Sequence, residues 1–173
     1  MTRSVDPTPG SGTRLVAALG RADRGDDGFG PEVLRSLRAT ADVPARLVDC
    51  APGALALLDL WEGVEWAWVV DAVVSGAPPG ALHVLDGRAE SLPPEAGIAS
   101  THGISLGEVV ALARSLDRLP AHLTVYGVEA AQLGLGEAMS PPVRSRVEEV
   151  AACIRSEVVR AAAPPGRREL DHA

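Results

Sequence analysis

Apolar positions along this chain fall into short, nearly unbroken runs that alternate with stretches where they recur every three or four residues. Arg14 to Leu19 (RLVAAL), closed by Gly20, has the form of a strand buried on both faces. Ala45 to Asp49 (ARLVD) predicts a second strand, and Trp66 to Val70 (WAWVV) a third that terminates in Asp71. Ala81 to Leu85 (ALHVL) and His122 to Val128 (HLTVYGV) predict a fourth and a fifth. Between them, Pro31 to Arg38 sets Val33, Leu34 and Leu37 at helical spacing, with Pro in the first turn where its missing N–H costs little. Ala54 to Trp61 reads as helical, entered through Pro52-Gly53. Ser105 to Leu116 carries Leu106, Val109, Val110 and Ala113 on one side, and Pro141-Pro142 opens a closing helix that reaches about Val159. A short turn, Gly76-Ala77-Pro78-Pro79-Gly80, leads into the fourth strand, so antiparallel addition of that strand is expected. Strands alternating with helices point to a three-layer α/β/α sandwich around a mostly parallel five-stranded sheet, with one strand antiparallel.

At 173 residues the chain has room for one domain with a substantial core. Residues 13–162 are expected to form it, between a leader (1–12) and a tail (163–173) that hold little to bury and read as disordered. Hydrophobic residues make up 46%, yet there are only three Trp, one Tyr and one Phe, so the core must be built from Ala, Val and Leu. The formal charge of −7 argues against a nucleic-acid surface, which needs a net basic face to release counterions. Cys50 and Cys153 form no CxxC pair, which excludes a disulfide framework and a structural zinc site; Cys50 reads as a small buried residue. The start, MTRSVDPTPGSGT, lacks an apolar core for secretion, and no run reaches transmembrane length. A cytoplasmic protein with no membrane partner is expected.

In open α/β sheets ligands collect at the carboxyl ends of the strands. Three segments with chemistry fall there: the loop after the first strand, Asp71, and Ser100-Thr101-His102-Gly103. The first loop, Gly20 to Gly30, is spaced G-x-x-G-x-G, and its Asp23, Asp26 and Asp27 would repel a pyrophosphate. Asp49, ending the second strand where a ribose-binding acid would stand, keeps a dinucleotide reading in view. Carboxylates at a helix start have a plainer use, capping and complementing its positive end. Capping or loop bracing suits Asp26 at least as well as ligation, whereas Asp27 is the better candidate for an outward ligand. Asp71 follows two Trp and two Val, where a carboxylate is costly to desolvate unless paired or bound to a cation; the alternative is a cap on the following turn. His102, taken alone, is as readily a surface residue. Taken together, two carboxylates and one imidazole form an N/O site for a borderline divalent ion such as nickel or zinc.

The segments, read in order, resemble the [NiFe]-hydrogenase maturation endopeptidases. Leu19-Gly20 through Asp26-Asp27-Gly28-Phe29-Gly30 is similar to the family's opening signature, Val70-Asp71-Ala72-Val73 to its second block, and Ser100-Thr101-His102-Gly103 to its third. Val48-Asp49, Tyr126-Gly127-Val128-Glu129 and Leu133-Gly134-Leu135 before Ser140-Pro141 follow in the expected order, so the resemblance spans roughly residues 14 to 160. It implies a twisted, mostly parallel five-stranded sheet. It also implies that Asp27, Asp71 and His102 are both the catalytic and the metal-binding residues. The metal would be nickel, belonging to the bound precursor and not held tightly by the free enzyme. The substrate would be the large-subunit precursor of a [NiFe] hydrogenase, cut near its C-terminus by a protein that acts as a monomer.

Two positions depart from the pattern. Ala18 and Arg21 stand where a glycine and an asparagine are usual, and Arg21 adds bulk and charge beside the site. Arg21 therefore keeps open a second function, a non-catalytic factor that binds the nickel-loaded precursor without cutting it. No G-x-S-x-G elbow is present, and Cys50 lacks a nearby His, so nothing supports a Ser or Cys nucleophile.

Overall fold

Side-chain alternation along the strands decides how the layers assemble. A computed structural model describes residues 13–40, 42–50, 53–89 and 104–163. The strands are β1 (Arg14–Ala18), β2 (Arg46–Asp49), β3 (Trp66–Val73), β4 (Leu82–Asp86) and β5 (His122–Glu129). The helices are α1 (Phe29–Ala39), α2 (Leu57–Leu60), α3 (Leu106–Ser115), α4 (Pro141–Arg144) and α5 (Val147–Ala162), with 3-10 turns at Gly25–Gly28 and Ala54–Ala56 leading into α1 and α2. Leu15, Ala17, Ala67, Val69, Leu123 and Val125 face one way and bury Leu57 and Trp61, together with Leu106, Val109, Val110 and Ala113 of α3. Val16, Ala18, Trp68, Val70, Tyr126 and Val128 face the other way, against Phe29, Val33, Leu34 and Leu37 of α1 and Val147, Val150, Ile154 and Val158 of α5. Three layers result, packed with Ala, Val and Leu as the composition requires.

The sheet order is β2-β1-β3-β5-β4, with β1, β2, β3 and β5 parallel. β4 is antiparallel, as its short turn implies, but its neighbour is β5 rather than β3. The turn carries the chain past the end of β3, and β5 later fills the space between them.

Two elements differ in extent from their sequence patterns. β3 does not stop at Asp71; β5 continues beside it, pairing Asp71 with Gly127, Ala72 with Val128 and Val73 with Glu129. The closing helix breaks into α4 and α5. Ser145 Oγ donates to Pro142 O (2.8 Å), while the Arg146 N–H bonds Val143 O, one residue short of the α-helical partner. Cys50 and Cys153 are both free, and burial pushes the Cys50 thiol up to about 11, consistent with an inert packed side chain. The expected leader, and the tail beyond Ala163, lie outside the described residues. Among the described residues no helix is long and apolar enough to cross a membrane.

Candidate metal and catalytic site

The carboxyl ends of β1 and β3 carry the first two candidate residues, and the backbone there is packed too closely for side chains at two positions. Leu19 N–H donates to Val70 O (2.8 Å), tying the exit of β1 to β3. Gly20 then turns with φ +101°, and a Cβ on it would lie 2.0 Å from the Asp27 carbonyl oxygen. At Gly30 a Cβ would meet the Leu19 and Val70 carbonyls at 2.3 and 2.9 Å. These two glycines let the start of α1 lie directly across the strand ends, which brings Asp27 to the rim. There Asp27 Oδ2 accepts the Arg21 N–H (3.1 Å). Burial raises its pKa, opposed by that N–H and by the nearby charge of Arg24.

Asp26, its immediate neighbour, does a different job. Its Oδ1 accepts Ser140 N–H (2.6 Å), and its Oδ2 accepts Ala131 N–H (2.8 Å), Gln132 N–H (3.1 Å) and Ser140 Oγ–H (2.9 Å). A fully buried carboxylate so supplied with donors is a brace, latching the loop 131–140 onto the acid loop. Bracing was one of the two uses its position in the sequence allowed, but its partners, more than a hundred residues away, were not legible there.

Asp71 has no such donors. β1 ends opposite Val70, so Asp71 is the first residue of β3 to overhang it. Alternation turns its side chain toward the α2/α3 layer, the face of Val69. It is buried, and no hydrogen bond of ordinary geometry reaches its carboxyl group among the described residues. Burial pushes its pKa up to about 8, the charge of Asp27 adds to the shift, and the adjacent Ala72 N–H opposes it weakly. The alternative use, a cap on the following turn, is taken by Glu129 instead. Glu129 accepts Ser75 N–H (2.8 Å), Ser75 Oγ–H (2.7 Å) and Gly76 N–H (2.9 Å). Burial would raise Glu129, but these bonds outweigh it and hold its pKa below the usual range.

The third candidate, His102, lies outside the described residues. The chain is described again from Ile104, and Ser105 caps α3 with a reciprocal pair of bonds to Glu108, Glu108 N–H to Ser105 Oγ (3.2 Å) and Ser105 N–H to Glu108 Oε2 (2.8 Å). α3 precedes β5, which begins at the opposite end of the sheet, so the start of α3 stands at the same rim as Asp27 and Asp71. Among the described residues no three His, Cys, Asp or Glu gather as a metal site. The two other described histidines are engaged elsewhere. His83 Nε2 lies 3.5 Å from Glu129, and His122 stacks on Trp66 with centroids 3.6 Å apart.

Arg21 does not project into the site. Its guanidinium pairs with Asp23 (2.8 Å) in solvent, and only its backbone N–H touches Asp27. The same loop does not favour a phosphate cradle. The Gly25, Asp26 and Asp27 N–H groups are bonded to Glu137 O, Gln132 O and Arg24 O, which leaves none of the three for an anion, and Asp49 is exposed on the edge strand β2.

The model of the hydrogenase maturation protease family matches residues 31–157. The chain belongs to that family. The matched span contains Asp71 and the His102 position; Asp27 stands four residues before it. The hydrogenase expression/formation protein HupD of Rhodobacter capsulatus is 30% identical over 78% of this chain and 65% of its own length. Its namesake in Bradyrhizobium diazoefficiens is 29% identical over 82% of this chain and 76% of its own. The chain thus spans about two thirds to three quarters of these relatives. Among solved structures, the hydrogenase maturating endopeptidase HybD of E. coli superposes with a TM-score of 0.70 at 20% identity, covering 86% of this chain and 93% of that one. The [NiFe] hydrogenase maturation protease HycI of Thermococcus kodakarensis does so at 0.66 and 22%, covering 86% and 92%. The family and its fold are those the sequence motifs imply.

Proposed function

We propose that this protein is the endopeptidase that removes the C-terminal peptide of a nickel-loaded [NiFe]-hydrogenase large-subunit precursor, with Asp27, Asp71 and His102 engaging the metal carried by that substrate. One observation supports it above the rest. Asp27, in the turn that leads into α1, and Asp71, on the overhanging end of β3, are buried carboxylates, close enough that the charge of Asp27 raises the pKa of Asp71, and no basic side chain pairs with either among the described residues. A desolvated, mutually repelling acid pair is stabilised by a cation set between its members. The precursor's nickel would supply that charge and polarise the peptide carbonyl beside it. His102 precedes Ser105 by three residues, within about 10 Å of extended chain, and Asp71 already points toward the α3 layer. An imidazole added to two carboxylates makes a donor set suited to nickel.

Within the site, Asp27 Oδ2 accepts the Arg21 N–H (3.1 Å), and no hydrogen bond engages its Oδ1 among the described residues. Asp71, in its protonated form, would release its proton to solvent as the cation arrives. An ionised carboxylate beside the positioned carbonyl would take a proton from the attacking water and return it to the departing amine as the C–N bond breaks.

The test is direct. Purified protein incubated with nickel-loaded precursor should shorten the large subunit, and precursor lacking nickel should remain intact. Binding without shortening would instead identify a non-catalytic maturation factor. Arg21, the residue that raised that reading, gives it no support with its side chain turned to Asp23.

A further inference from the structure

The loop 131–140 is held as firmly as a secondary-structure element, yet it presents a large apolar side chain to solvent. Asp26 binds it at Ala131, Gln132 and Ser140. Asp26 N–H donates to Gln132 O (2.9 Å), Gly136 N–H to Asp23 O (2.8 Å) and Arg24 Nε to Leu133 O (3.0 Å). At its tip, Glu137 N–H bonds Gly134 O, the Gly134 N–H bonds the Glu137 carboxylate (2.9 Å), and Gly136 has φ +76°. That turn sets Leu135 at its corner, 73% exposed. A lone exposed leucine needs no explanation. Leu135 is not alone. Leu55 (51%), Val74 (50%) and Ile104 (43%) are also exposed, on the connections that follow β2 and β3 and that lead into α3. All four stand at the carboxyl-end rim where Asp27 and Asp71 lie.

We infer that this rim is the docking surface for the precursor, with Leu135 as the anchor for an apolar stretch of the substrate chain flanking the bond to be cut. The inference rests on the endopeptidase reading above. The occupant follows from continuity: the loop carrying Leu135 and the loop carrying Asp27 form one hydrogen-bonded unit. A chain whose scissile bond sits at Asp27 and Asp71 therefore runs over apolar side chains fixed in advance. Pre-ordering removes the entropic cost of fixing the loop on binding, so burial of Leu135 contributes nearly in full. The four side chains lie on four separate connections at the carboxyl-end rim, which suits a folded precursor presenting a segment rather than a free peptide.

The experiment measures KM and kcat for nickel-loaded precursor, together with its equilibrium affinity, for wild type, Leu135→Ser, Leu135→Ser/Val74→Ser and the control Leu116→Ser. Leu116 is exposed to about the same degree as Val74 (52% against 50%) but lies just past the far end of α3. Leu135→Ser should raise KM roughly tenfold with kcat near wild type, the double variant should raise it further, and Leu116→Ser should leave it unchanged. Thermal midpoints should all agree, because the replaced side chains are in solvent. An unchanged KM and affinity in Leu135→Ser, or an equal rise in Leu116→Ser, overturns the docking surface while leaving the protease intact. If wild type binds precursor without cutting it, the endopeptidase reading fails, and a loss of affinity confined to the rim variants still upholds the surface. If wild type neither cuts nor binds, both fall.

Discussion

The two ends of the sheet solve opposite problems with the same residue types. At the amino end of β3 and β5 an open cleft of about 720 Å³ is lined by Trp66, Trp68, His122, Thr124 and Glu157, among others. Its half-buried carboxylate is satisfied: Trp68 Nε1 donates to Glu157 Oε2 (2.6 Å) and the Tyr126 hydroxyl to Glu157 Oε1 (2.7 Å). At the carboxyl end the acids lie deeper, and Asp71 is given almost nothing. Volume therefore points one way and unbalanced chemistry the other. A group left costly by the fold is a better guide to where a ligand could supply the missing partner than a roomy cleft whose polar groups are already matched.

The largest expected effect that would sharpen this contrast is Asp71→Asn. The amide keeps the shape and removes the charge, so precursor processing should fall by at least about 100-fold while the circular dichroism spectrum is retained; processing at the wild-type rate would remove Asp71 from the chemistry. Next is the brace. Asp26→Asn turns one acceptor oxygen into a donor facing donors, and unfolding free energy should drop by about 2–3 kcal/mol in urea titration, with processing weakened through the loosened 131–140 loop. A third prediction concerns pH. Asp71 titrates at about 8 in the folded chain, against a reference value of 3.8. Between those values the folded state holds the extra proton, so this group makes stability fall as pH rises from about 4 to about 8, after which the loss is constant. Asp71→Asn should show a flatter profile over that window, and at pH 8.5 should unfold at higher denaturant than wild type. At the other end, Glu157→Gln should cost only about 1 kcal/mol and leave processing unchanged. Smallest of all, Arg21→Asn should alter neither rate nor stability measurably, since its solvent-exposed pair with Asp23 contributes little.

Much of the fold was legible because the core is built on period. The runs at Leu15, Val69 and Val125 could only be buried strands, and the spacing of Val33, Leu34 and Leu37 only a helix face. The overhang of Asp71 was not legible, because it depends on where β1 stops and on β5 continuing beside β3, neither of which is local. The sequence likewise gave no sign that β4 would pair across to β5, since a short turn specifies direction and not the neighbour. For the site, Asp27 and Asp71 were recognisable by motif; both are buried, and the charge of Asp27 adds to the upward shift of Asp71. The structure adds what motif order cannot show: that Asp26 is spent on Ser140 and that Glu129 holds the turn after β3. Order along the chain had marked both Ser140 and Glu129 as features, without their partners.

The sheet order has a consequence for the newly made chain. β3, which bears Asp71, is inserted between β1 and β5, and its outer flank is supplied by residues about fifty positions later. A ribosome that has released only the first hundred residues has both aspartates outside the exit tunnel but no β5 to fix the overhanging end of β3. The paired, overhanging end of β3 thus waits on residues 122–129, and until they emerge the rim that carries Asp71 is half assembled.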